Sequence, residues 1–109
     1  MADTLVAPDV VQLSTSFTTI YTVPASTTFA VSMIHIHNTS GSAVSVQVCL
    51  VPSAGAAGVG NALLWNFGLT GLDFVEFTKG DYWAAGSVLK ALASTGSVVN
   101  IKVAGIEHT

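Results

Sequence analysis

The chain has 109 residues, half of them hydrophobic and only 8% charged, with a net charge of −3. That length carries one domain, the apolar content excludes a disordered chain, and three Lys with no Arg give no basic footprint for nucleic acid. A single cysteine, Cys49, excludes an internal disulfide, and Met1-Ala2-Asp3-Thr4 lacks the basic and apolar regions of a signal peptide, so folding in a cytoplasm is expected.

In chain order, Met1 to Asp9 contains Pro8 and shows no period, which predicts an extended N-terminal arm before a domain over 10–109. From Val10 to Leu72 there is no Lys, Arg, Asp or Glu, a run of 63 residues. Ser, Thr, Gly, Asn and Pro interrupt it throughout, so no window reaches the roughly 18 apolar residues of a membrane span. Val, Ile, Thr, Phe and Tyr dominate, with turn residues every eight to twelve positions, which predicts strands near 10–15, 17–23, 28–38, 43–51, 62–69, 73–78, 87–94 and 97–106. The fold class expected is all-β, a single antiparallel β-sandwich of about eight strands, either jelly-roll or immunoglobulin-like. Thr39-Ser40-Gly41-Ser42 and Thr95-Gly96 read as hairpin turns, and Ser53 to Gly60 as a flexible loop.

Alternation assigns faces. Val99, Ile101 and Val103 point inward in the last strand, and Leu63, Trp65, Phe67 and Leu69 share one face in 62–69. Strict alternation over 28–38 puts Phe29, Val31 and Met33 on one face and Ala30, Ile34 and Ile36 on the other. Both are apolar, so one is expected to meet the core and the other a second chain. The expected oligomer interface is Phe29, Val31, Met33, Ile34, His35, Ile36 and His37.

His35 and His37 sit on one strand face, a spacing that resembles the metal-binding pair of cupin barrels. Zinc and iron sites need three or four ligands, and the chain supplies only these two and a distant His108. They therefore read as interface or strand-end residues, or as a cluster about a symmetry axis, and no metal or cofactor is expected. Cys49 reads as a core or interface residue. No Gly-x-Ser-x-Gly elbow accompanies the scattered serines. The acids Asp73, Glu76 and Asp81 lie about Lys79 and read as a solvated turn region, so no catalytic residue is assigned. Tyr82 and Trp83, beside the turn Lys79-Gly80-Asp81, read as an exposed aromatic patch.

Two stretches carry a resemblance. One runs from Ile34-His35-Ile36-His37-Asn38-Thr39-Ser40-Gly41-Ser42 into the alternating Val44 and Val46. The other runs from Gly86 through Gly96-Ser97-Val98-Val99-Asn100-Ile101 to Glu107. Together they resemble small virion structural proteins of tailed bacteriophages, over about 75 residues. The resemblance implies a non-enzymatic β-sandwich homotrimer located in the virion. Such a subunit clamps the major capsid protein as a decoration (cement) protein or seats on a tail protein, with no nucleic-acid or membrane partner. The alternative it leaves open is a tail- or fibre-associated module that binds carbohydrate or a receptor through Tyr82 and Trp83.

Overall fold

A computed structural model of the protein describes residues 3–77 and 81–109. These form ten strands: β1 Asp3–Val6, β2 Val11–Gln12, β3 Thr18–Thr22, β4 Thr28–Asn38, β5 Val44–Val51, β6 Ala62–Leu69, β7 Phe74–Phe77, β8 Asp81–Trp83, β9 Val88–Ala93 and β10 Val99–His108. The expected turn at Lys79 and Gly80 lies outside the described residues, as do Met1 and Ala2. The helical content among the described residues is one 3-10 turn, Val59–Asn61.

Two antiparallel sheets make a β-sandwich. In the first, β4 and β10 lie side by side in the centre, β7 and β8 pair end to end along the free side of β4, and β1 and β2 along that of β10. The second runs β3-β9-β5-β6. Taking each end-to-end pair as one interrupted strand, the pairing is nested: first with last, second with seventh, third with sixth, fourth with fifth. The expected arm is therefore corrected in part. Asp3–Val6 is extended, but it is an edge strand paired with Gly105–His108 of the same chain.

The nesting also corrects the two expected hairpins. β4 and β5 belong to different sheets, as do β9 and β10, so Thr39–Ser42 and Thr95–Gly96 carry the chain across the sandwich. Asn38, fully buried, organises the first crossing. Its side-chain amide donates to the Ser42 and Thr70 carbonyls at 2.8 and 2.9 Å, and its Oδ1 accepts from the Ser40 amide at 3.0 Å and the Ser40 hydroxyl at 2.8 Å. Every polar atom of the amide is thereby engaged, which is what allows it to sit in the interior.

The core is built from inward residues of both sheets, with Phe29, Ile34, Ile36, Trp83, Ile101 and Val103 from the first and Val46, Val48, Leu69 and Leu89 from the second. One irregularity decides what β4 presents. Ala104 pairs with Met33, but Gly105 pairs with Val31, so Ser32 is an extra residue, a β-bulge. The bulge resets the alternation, so Phe29, Val31, Ile34 and Ile36 all face inward and are buried. The two-faced reading of 28–38 is overturned for those four. They are core residues and cannot reach another chain; only Met33, His35 and His37, half-buried, face outward.

Gly105 stands across from the bulge. A Cβ there would lie 2.3 Å from the Ala30 carbonyl oxygen and 2.5 Å from Phe29 Cζ. The missing side chain is what admits the Phe29 ring, which packs between Tyr21 at 4.6 Å and Trp83 at 5.4 Å.

Candidate functional site

Cross-strand partners share a face, so the register defines rows across the outer surface of the first sheet. One row is apolar over all four strand positions: Leu5 opposite Ile106, Ile106 opposite Ala30, Ala30 opposite Tyr82. Its two ends are open to solvent, with Leu5 84% and Tyr82 68% exposed. A second row is Lys102, His35 and Glu76, and a third is Gln12, Asn100, His37 and Phe74.

Two acids on this face have histidine partners. His35 Nδ1 lies 2.9 Å from Glu76 Oε2, and the ring stacks on Phe74 at 5.3 Å. His108 Nδ1 lies 2.6 Å from Asp3 Oδ1 and ties the N-terminal edge strand to β10. Glu76 is thus a strand residue with a partner, and Asp81 opens β8, where a solvated turn region had been expected for the three acids. Asp73 does cap the start of β7, its Oδ1 accepting the Phe74 amide at 2.9 Å.

The expected site residues separate. Met33, His35 and His37 share the outer face, while Phe29, Val31, Ile34 and Ile36 lie beneath it. The His35 and His37 rings are 6.5 Å apart, and among the described residues no three His, Cys, Asp or Glu side chains assemble as a metal-binding group. Tyr82 and Trp83 point to opposite faces of β8. Tyr82 is exposed as expected, but Trp83 is 2% exposed and packs in the core, so the aromatic patch is corrected to Tyr82 alone. The physical reason is alternation: β8 is a true strand, and adjacent residues on a strand cannot share a face.

Trp65 and Phe67, which alternation puts on one face with Leu63 and Leu69, are exposed on β6 while Leu69 is buried. Val46 pairs with Phe67 and Val48 with Leu64, so the strand bulges here, and Asn66 adopts φ +54°. Cys49 is buried, with its thiol 3.4 Å from the Gly58 carbonyl, and burial pushes its pKa up. That favours the unreactive thiol.

Two further residues were not evident from the sequence. Glu107 pairs with inward-facing Phe29, and the Tyr21 hydroxyl donates to its Oε2 from the other sheet. Burial, and then the hydrogen bond to Glu107 and its negative charge, hold the Tyr21 phenol well above its ordinary range. A raised phenol pKa means that the neutral form is the one stabilised. Its contribution is complete below about pH 10, the unfolded value, and is lost as pH rises toward the folded value. Urea titrations of wild type and Tyr21→Phe from pH 9 to 11 test this. Wild-type stability is expected to fall more steeply, by at most about 1.4 kcal/mol per pH unit for one proton. Parallel curves would overturn the assignment.

The chain matches no protein-family model, no curated protein and no solved structure.

Proposed function

We propose that this protein is a non-enzymatic virion structural subunit, a capsid decoration (cement) protein of jelly-roll type that forms a homotrimer and stabilises a phage head. The nested pairing supports the jelly-roll reading over the immunoglobulin-like one, since eight strand positions, four in each sheet, match the eight-stranded jelly roll and not the seven or nine strands of immunoglobulin domains. The observation that carries the function is the outer face of the first sheet, where an apolar row spans every strand position and Glu76 and Asp3 are each held by a histidine, His35 and His108.

Such a face suits burial against protein. Apolar surface contributes about 25 cal/mol per Å² removed from water, and a standard interface buries roughly 800 Å² on each partner. Ordinary single-chain domains avoid large contiguous apolar patches because they stick. The tail- or fibre-associated carbohydrate-binding reading now rests on Tyr82 alone, because Trp83 is in the core.

The test uses purified particles and the double variant Leu5→Asp/Tyr82→Asp. Both positions are exposed, so the isolated subunit is expected to keep its stability to within about 1 kcal/mol. Its sedimentation with particles, and its trimeric mass by light scattering, are expected to be lost. Wild type should co-purify at hundreds of copies per particle; a dozen or fewer would place it on the tail. A monomeric wild type, or a double variant that still sediments with particles, would refute the proposal.

A further inference from the structure

Among the described residues, the sandwich is open along one side. Where the edge strand β6 of one sheet and the edge strands β7 and β8 of the other border the interior, a cavity of about 360 Å³ lies between the sheets. Its walls are apolar, with Val31, Ile34, Val75, Phe77 and Trp83 from the first sheet and Leu63 from the second.

The space is a part-open recess and not an enclosed void, and it exceeds the gaps, rarely larger than one water molecule, that close packing leaves between sheets. Apolar walls give water few of the two to four polar partners it needs, whereas such cavities take up apolar guests. The volume and the predominantly apolar lining fall in the range of small-molecule sites. At roughly 30 Å³ for each water-sized group, the cavity holds about a dozen heavy atoms.

Among the described lining residues one is charged, Asp81. Its Oδ1 accepts the Tyr82 amide at 2.9 Å, which fixes the group at the start of β8. The ion pairs among the described residues, His35–Glu76 and His108–Asp3, do not use it. Apolar walls with one negative group complement a guest that has an apolar body and a positive head.

We propose that this cavity binds a small cationic amphiphile, a primary alkylamine of about ten carbons, with its chain between the sheets and its ammonium at Asp81. The inference is independent of the particle role, because the cavity lies between the sheets and the docking face lies outside them.

Decylamine, below its micellar concentration, is the probe. In Trp65→Phe, an exposed substitution, Trp83 is the remaining tryptophan and reports directly from the cavity wall. A saturable one-to-one fluorescence change is expected, with decylamine binding about two- to five-fold more tightly than decanol, the range of a partly exposed ion pair. Asp81→Asn should erase that preference without abolishing decanol binding. In wild type, methyl resonances of Val31, Ile34, Leu63 and Val75 should shift while those of Leu5 and Ile106 on the outer face stay fixed. An unsaturable signal, equal affinities for amine and alcohol in the chain with Asp81 intact, or shifts confined to the outer face would each overturn the proposal. An interior that instead receives a neighbouring subunit's side chain would give the first of these.

Discussion

Truncating Trp83 to alanine is expected to remove about 3–5 kcal/mol of stability, the range for deleting a large buried aromatic. For a domain of this size that is a large share of a total of roughly 5–15 kcal/mol, and it lowers the melting temperature by roughly 4–8 °C for each kcal/mol. Trp83 is 2% exposed and tilts against Phe29 at 5.4 Å, which in turn tilts against Tyr21 at 4.6 Å. These three rings connect the two sheets near the Tyr21–Glu107 hydrogen bond. Collapse around the deleted ring is poor, because Trp83 already borders the cavity between the sheets. Its neighbour Tyr82 is 68% exposed, and Tyr82→Ala should change stability by no more than about 0.5 kcal/mol. Urea denaturation of the two variants side by side checks this. A loss below about 1 kcal/mol for Trp83→Ala would return that side chain to the surface and reopen the paired-aromatic reading.

The contrast between these adjacent residues shows what sequence pattern reveals and what it hides. The all-β class was legible because alternation is local: Val99, Ile101 and Val103 point inward as their spacing requires. Which sheet each strand joins was not legible, because Thr39–Ser42 has hairpin composition but crosses between sheets, held by Asn38 contacts to Ser42 and Thr70. The β4 bulge was written in the sequence as a break in phase. Phe29, Val31, Ile34 and Ile36 are spaced two, three, two, and a single extra residue accounts for the three. Strict alternation turned that break into a false second apolar face. Trp65 and Phe67 misled differently, since their spacing is regular while β6 bulges at an edge that the sequence does not identify. The outer-face row from Leu5 to Tyr82 joins residues far apart in the chain, so it becomes visible only through the register.

The same bulge makes Gly105 the position where the smallest change has a large effect. A Cβ there would meet the Ala30 carbonyl oxygen at 2.3 Å and the Phe29 ring at 2.5 Å. The ring could turn, but the oxygen belongs to the backbone of β4, where Ala30 pairs with Ile106. Relief therefore requires β4 and β10 to separate beside the bulge. Overpacking a core costs typically 1–3 kcal/mol and more when backbone must move, so Gly105→Ala is expected to lose about 3 kcal/mol. Adding Phe29→Leu should recover less than half of that loss, because it relieves the ring contact and leaves the oxygen in place. Gly96→Ala is the control. Nothing lies within 4 Å of its Cβ direction, and a smaller unfolded-state entropy makes it neutral or slightly stabilising. If Gly105→Ala instead unfolded at the wild-type urea concentration, the close approach of β10 to Ala30 would be wrong. The inward packing of Phe29, and the phase that turns Met33, His35 and His37 outward, would then have to be redrawn.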